Sequence, residues 1–565
     1  MKSLLLFIVV VLFAFCSHPE QTADTIYFNG TIYTMATPGI AQAVAVRAGK
    51  ILAVGSSAEV EKYKGQTTRM VDLAGNTMTP GFIEGHAHFM GVGYNKLELD
   101  LSGITSFEEI VRLVEEKAKT LAPGIWITGR GWHQDKWDSL PNEMVQGFPG
   151  HDELSKVTPN NPVFLRHASG HMGLANARAM ELAGVSPASE SPAGGEIIKT
   201  KVGQPTGLFN ETAQGIIGSV IPQKDEQSNQ MAYEEAVKEC LSNGITGFHD
   251  AGVGQTTIDL YKRNFSDGKP GVRLYVMLDG SDNELVNRYF SIGPEIGLYN
   301  DFLTVRSIKL YSDGALGSRG AWLLEPYSDM PATLGQSTTD PEAIYKMSVH
   351  ALEHGFQVCT HAIGDRANRE VLDQYEKAFK THGDDQKLYR FRIEHAQHIH
   401  PNDIPRFAHL GVIPAMQAIH MSSDRPWAID RLGEKRIIEG AYVWQQLLES
   451  GAIIVNGTDA PVEPVNPIAC FYASVTRQTL KGTPEGGYEP SQRMTREQAL
   501  RSYTLDAAYA AFEEEKHGSI EAGKYADFTI LSQDIMTVPD SALLGTRVLM
   551  TIVDGHVAYS DGTIK

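Results

Sequence analysis

The stretch Thr79-Pro80-Gly81-Phe82-Ile83-Glu84-Gly85-His86-Ala87-His88 ends a short apolar run on two histidines one residue apart. Side chains alternate faces along an extended strand, so His86 and His88 emerge on the same side. Two imidazoles placed in this way can grip one metal ion. The chain holds 19 histidines, so such a pair also arises by chance, and its meaning depends on whether later segments supply further ligands. Lys309, His361, His395 and Asp459 are the residues that could do so. They stand in Ile308-Lys309-Leu310-Tyr311-Ser312-Asp313-Gly314, Thr360-His361-Ala362-Ile363-Gly364-Asp365, Arg392-Ile393-Glu394-His395-Ala396 and Asn456-Gly457-Thr458-Asp459-Ala460-Pro461. Each sits at or near the end of a strand-like run.

The elements that must position these residues alternate between strand and helix. Strand-like runs fall at 244–250, 305–310, 356–361, 391–395, 412–417 and 452–457, with helical patterns between them at 341–353 and 368–380. Such alternation predicts a parallel sheet covered by helices. A (β/α)8 TIM-like barrel is the leading form, and an open doubly wound sheet is the alternative. No G-x-G-x-x-G or P-loop follows a strand, so the nucleotide-fold signals are missing. The spacing fits barrel units of about 30 residues or somewhat more. It puts His86 and His88 on strand 1, Lys309 on 4, His361 on 5, His395 on 6 and Asp459 on 8. The interval from His86 to Lys309 is too long for three units and implies a large insertion, at about residues 100–240 on that unit length. In a barrel, chemistry belongs at the C-terminal ends of the strands, where these residues fall.

This ordered pattern resembles the amidohydrolase superfamily. The phrases around Lys309–Arg319, His361–Ala367 and Gly457–Val462, with Arg130-Gly131-Trp132, Gly170-His171 and Pro205-Thr206-Gly207-Leu208, are similar to the family 3 branch that contains N-substituted formamide deformylase. The resemblance spans roughly residues 25–565. It implies a hydrolase for C–N bonds other than peptide bonds, acting on a small molecule. It also implies one or two divalent cations: His86, His88 and Asp459 on one, His361 and His395 on the other, and Lys309 bridging as a carbamate. Burial favours the neutral amine that adds carbon dioxide. Zinc suits the histidine-rich set, while manganese, iron or cobalt also suit a carbamate with a carboxylate. Asp459 would take the proton of a metal-activated water and pass it to the leaving amine. Trp132, His171 and Arg319 are candidate substrate contacts. His398, three residues past His395, faces the other way in a continued strand and reads as a loop or surface residue. An esterase, lactonase or dipeptidase on the same ligands is a rival reading, and a non-catalytic binding lipoprotein is a rival of another class.

Both ends of the chain read as short strands. An Asn29-Gly30 turn and an Asp554-Gly555 turn each predict a hairpin. Segments 24–79 and 516–565 are therefore expected to form a small β-sandwich flanking a barrel over 80–515. Segment 1–16 begins Met1-Lys2 and runs apolar to Phe15, as a secretory signal peptide does. Cys16 straight after it resembles the lipidated Cys of a bacterial lipoprotein, although Phe15 stands where a small residue is usual. The expectation is an exported protein, periplasmic or anchored to the outer membrane through Cys16. Lys and Arg total 49 against 68 Asp and Glu, a net charge of −19, which argues against nucleic acid or an anionic membrane surface as the main partner. Hydrophobic residues at 42% allow a large core, and a homo-oligomer is compatible with this composition. Cys240, Cys359 and Cys470 are few and far apart, so they read as buried thiols and not as a disulfide framework.

Overall fold

Eight parallel strands, each hydrogen-bonded to the next in chain order, make the central sheet of the computed structural model. They are β1 (Phe82–Ala87), β2 (Ile245–Val253), β3 (Arg273–Asp279), β4 (Leu303–Tyr311), β5 (Gln357–Ala362), β6 (Arg392–His395), β7 (Ile413–Met416) and β8 (Val455–Asn456). The structure describes residues 22–564 except 223, 270, 384 and 385. The signal segment 1–16 and Cys16 lie outside the described residues. Strands such as β3, with Leu274-Tyr275-Val276-Met277-Leu278 all buried, are apolar on both faces because helices cover one side and the other faces the barrel interior. Helices α1 (Pro341–Glu353) and α2 (Asp365–His382) follow β4 and β5 and pack outside them. The three cysteines are buried and free.

The sheet curls until its first and last strands meet, which rules out the open doubly wound alternative. At the seam the Asp459 amide donates to His86 O at 2.8 Å and the His88 amide to Ala460 O at 2.8 Å. Thr458 donates its amide to Glu84 Oε1 at 2.6 Å and its hydroxyl to Oε2 at 3.1 Å. Gly85 makes this approach possible. A Cβ there would stand 2.2 Å from Val455 Cγ1 and 2.4 Å from Asn456 O.

The two chain ends join beside the barrel. Strand Thr77–Pro80 pairs antiparallel with Phe528–Leu531, and hydrogen bonding continues through all eight strands of the two ends. The ends thus form one hydrogen-bonded sheet, and strands of both ends share an apolar core that includes Tyr27, Val44, Met78, Phe528 and Ile552. The Asp554-Gly555 hairpin forms, joining Val548–Val553 to His556–Ser560. Asn29-Gly30 does not turn a hairpin. Thr25–Tyr33 is one strand with a register shift between Phe28 and Ile32, and Asn29 sits at that bulge with φ 59°. The left-handed backbone that Asn-Gly favours is present, but it kinks a strand and does not reverse it.

The insertion follows β1 and its helix Phe89–Leu97. Its six-stranded sheet includes Ile127–Trp132, Val163–His167, Met172–Ala175 and Pro205–Glu211. Phe107, Ile110, Val114, Trp132 and Leu165 give it a core of its own.

A buried ion pair ties the flanking sheet to the barrel. Arg273 on β3 holds Asp527 through Nε at 2.7 Å and Nη2 at 3.2 Å, with both side chains 3% exposed. Asp527→Ala would strand the guanidinium and is expected to cost about 3–5 kcal/mol. Urea unfolding should show the loss, and the apolar pair Arg273→Met with Asp527→Leu should restore most of it.

Candidate metal centre

His86, His88, Lys309, His361, His395 and Asp459 all stand at one mouth of the barrel, at or just past the C-terminal ends of β1, β4, β5, β6 and β8. His88 lies one residue beyond β1, yet its backbone stays extended (φ −123°, ψ 95°) and the alternation carries through. The rings of His86 and His88 are 5.9 Å apart, centroid to centroid.

Each imidazole has one nitrogen occupied. Nδ1 of His86 is 2.5 Å from Glu394 Oε2, Nδ1 of His88 is 3.0 Å from Ala251 O, and Nδ1 of His395 is 2.8 Å from Gln417 Oε1. With Nδ1–H donating to an oxygen, each Nε2 keeps its lone pair for a cation. Nε2 of His86 lies 3.3 Å from Lys309 Nζ and 3.7 Å from Asp459 Oδ1, and Nε2 of His88 lies 3.3 Å from the same oxygen. That Oδ1 is buried without a hydrogen-bond partner. An orphaned carboxylate oxygen facing two bare imidazole nitrogens fits a divalent cation, and His86, His88 and Asp459 converge closely enough to share one.

Electrostatics agree with this ligand set. Burial first, then the Lys309 charge, pushes His86 down to about 4. Burial holds His361 and His395 well below the ordinary histidine value, so at neutral pH all three rings are in their ligand form. Burial lowers Lys309 toward its neutral amine. Burial opposes ionisation of Asp459, but His88, 3.3 Å away, and then His395 and His86 keep the carboxyl well below its usual range.

For the second ion the picture differs in detail from expectation. His361 and His395 have ring centroids 4.5 Å apart. Nε2 of His361 is buried without a hydrogen-bond partner, 3.3 Å from Asp313 Oδ1, and the ring does not join the converging donors. The donors that converge with His395 are Asp459 and His420. His420 was missed from sequence; its signal was a polar residue shortly after the apolar run 412–417, the rule that found the others.

Of the candidate substrate contacts, His171 lines the cavity over the centre and pairs through Nδ1 with Glu211 Oε2 at 2.7 Å. Trp132 does not reach it. It is buried in the insertion core with Nε1 donating to Leu165 O at 2.9 Å, and its neighbour His133 faces the cavity. Strand alternation explains the exchange. Arg319 is held by Asp329 through Nε at 3.3 Å and Nη2 at 2.8 Å, away from the cavity lining. His398 lies in the loop after β6 but is buried, 3.5 Å from Asp365, and not at the surface.

The sequence profile of the amidohydrolase family matches residues 69–559. The chain belongs to the amidohydrolase family. Members of this family are hydrolases, and the His and Asp groups at this mouth could bind a metal. Among curated relatives, N-substituted formamide deformylase of Arthrobacter pascens is 28% identical over 95% of this chain and 99% of its own length. Protein LONG AFTER FAR-RED 3 of Arabidopsis thaliana is 32% identical over 95% of this chain and 92% of its own. A crystal structure of an uncharacterized metal-dependent hydrolase from Pyrococcus horikoshii superposes with a TM-score of 0.73 at 27% identity, over 92% of this chain and 99% of that one.

Two outcomes are expected. Glu394→Gln, which weakens the hold on His86 Nδ1, should lower metal affinity about 10- to 100-fold in a competitive chelator titration. His171 is the other. Burial disfavours its charge, but Glu211 outweighs that and raises its pKa above 6.5. The pair's stabilisation is therefore complete below that unfolded value and fades as pH rises through the folded one. Glu211→Gln should move the His171 titration downward, read from the ring C–H chemical shift.

Proposed function

We propose that this amidohydrolase cleaves a C–N bond other than a backbone peptide bond, in an N-substituted amide or N-acylated amine. The convergence of His86 Nε2, His88 Nε2 and the orphaned Asp459 Oδ1 carries the reading. The similarity to a protein named as a formamide deformylase supports the bond type. Zinc is the cation that suits this donor set best; His361 and His395 would hold a second, and Lys309, as a carbamate, would supply a further anionic ligand. Such a cation, when bound, polarises the scissile carbonyl and lowers the pKa of water toward neutrality.

The chain's own residues do the rest. Asp459 is ionised at the mouth, so it can take a proton from the attacking water. The same carboxyl can then give that proton to the departing nitrogen, without which an amine is a poor leaving group. Its placement is fixed by its own amide on His86 O and by Thr458 on Glu84. Glu84 is buried and its pKa is pushed up to about 8 by that burial, so its hold on Thr458 persists in the neutral form through the remaining acceptor oxygen. His171 and His133 wall the space beside the carbonyl, and the insertion above them limits water.

Metal-reconstituted protein should hydrolyse members of a panel of N-substituted formamides, N-acyl amines, ureas and lactones, with an amide preferred. Removal of metal by a chelator should abolish turnover. Asp459→Asn should lower kcat by about 10²–10⁴-fold with far-UV circular dichroism unchanged. Activity that survives chelation, full activity in Asp459→Asn, or a preference for lactones would refute the reading.

A further inference from the structure

An open cavity of about 570 Å³ lies over the metal centre, and Arg130 and Arg166 are part of its lining. They sit on adjacent parallel strands of the insertion, Ile127–Trp132 and Val163–His167, as direct register partners. The pleat sends both side chains to the same face, and like charges directly across a ladder repel. Two of the acids nearby are committed elsewhere. Glu211 pairs with His171 at 2.7 Å, and Glu98 with Lys224 at 2.5 Å. Among the described residues, neither arginine forms an ion pair with a carboxylate. Arg130 donates from Nη2 to Ala168 O at 3.0 Å, while its buried Nε has no partner. Burial pushes its pKa down to about 10, with the Asp459 charge opposing and that of Arg166 adding, so it stays a cation at neutral pH.

Two side-by-side cations with no ion-pair partner among the described residues, facing a cavity that also reaches His361, His395 and Asp459, are a place for an anion. Resting on the amide-hydrolase reading, we propose that Arg130, assisted by Arg166, binds a carboxylate on the substrate, so that the substrate class is an N-acylated amine with a carboxylate on one arm, as in an N-acyl amino acid. The planar guanidinium fork matches a carboxylate in two parallel bonds. The same wall carries Asp313, Glu211 and Asp459, which would oppose a dianion such as phosphate more than a monoanion. A second, small cavity of about 50 Å³ adjoins it at His171, lined by Leu316, Ile363 and Trp427 and by Asp424 and the Lys136–Glu463 ion pair. With Lys136 paired to Glu463, it takes a compact uncharged arm. Both cavities share His171, His361, His395 and Asp459, so a carbonyl between the two arms lies over the metal centre.

The test uses matched pairs, N-acyl amino acids and their C-terminal carboxamides, over several acyl groups including N-benzoylglycine and N-benzoylglycinamide. On the metal-loaded full chain, kcat/KM is measured for pairs that are cleaved, and Kd by equilibrium dialysis for pairs that are not. The carboxylate member should be favoured about 10- to 100-fold, as expected for a charged hydrogen-bonded pair. Arg130→Met should remove that preference while leaving the carboxamides unchanged, and Arg130→Lys should restore part of it. Equal treatment of the two members by the wild-type protein overturns the proposal without need of any variant. So does a preference that persists in Arg130→Met, or one that falls in step with the carboxamide values. Cleavage of carboxamides without preference would leave the hydrolase reading standing and this one refuted. Carboxylate-selective binding with no cleavage of any amide would do the reverse.

Discussion

Closure of the barrel is the constraint on which everything else rests. The bond from the Asp459 amide to His86 O joins the last strand to the first, and it also sets the Asp459 carboxyl beside the two histidines of β1. Architecture and site share one hydrogen-bonded seam. Gly457 shows how tight it is: a Cβ there would stand 2.4 Å from Glu84 Oε1 and 2.7 Å from the His86 amide. A side chain at this position would part the strands and the ligands together.

Beneath the seam lies a buried chain of charge. Arg392 grips Glu394 through Nε at 2.7 Å and Nη2 at 2.9 Å, also donates from Nη2 to Gly85 O at 2.6 Å, and both side chains are fully buried. Glu394 then holds His86. Burial alone would raise the Glu394 pKa, but Arg392 and then His86 drive it far below the carboxylate range. An ion pair this deep adds little net stability over an apolar filling, because desolvating both charges offsets their attraction. Its consequence is orientation. A fixed anion behind His86 keeps Nδ1 protonated and turns Nε2 to the mouth.

Much of this was legible in one dimension because strand alternation and βα repeat length are local or nearly local quantities. The H-x-H spacing placed two ligands on one face, and the intervals between Lys309, His361, His395 and Asp459 counted the strands. The misreadings share a cause. Trp132 and Arg319 have the chemical type of substrate contacts and stand in family-like phrases. Whether such a side chain faces a cavity or a core depends on which sheet covers it. Asn29-Gly30 supplied the expected left-handed residue, but whether that residue ends a strand or bulges it depended on the partner strand Ile40–Arg47. His395 is subtler. Alternation from Glu394 would aim it away from the mouth, and its left-handed φ of 74° turns it back.

The residue types and their order pointed by themselves to a barrel, a set of candidate metal ligands at its mouth and a large insertion after the first strand. Such features follow from periodicities of two residues and of one βα unit, which are written along the chain. Only the tertiary structure decided which nitrogens of His86, His88 and His395 face the mouth, that His420 joins His395 and Asp459, and that Arg130 and Arg166 stand together with no ion-pair partner among the described residues. Those facts depend on partners 20 to more than 300 residues away in sequence, such as Gln417 for His395 and Glu394 for His86. A hydrogen bond or an unpaired charge is a property of a neighbourhood, and the neighbourhood exists only once the sheet has closed.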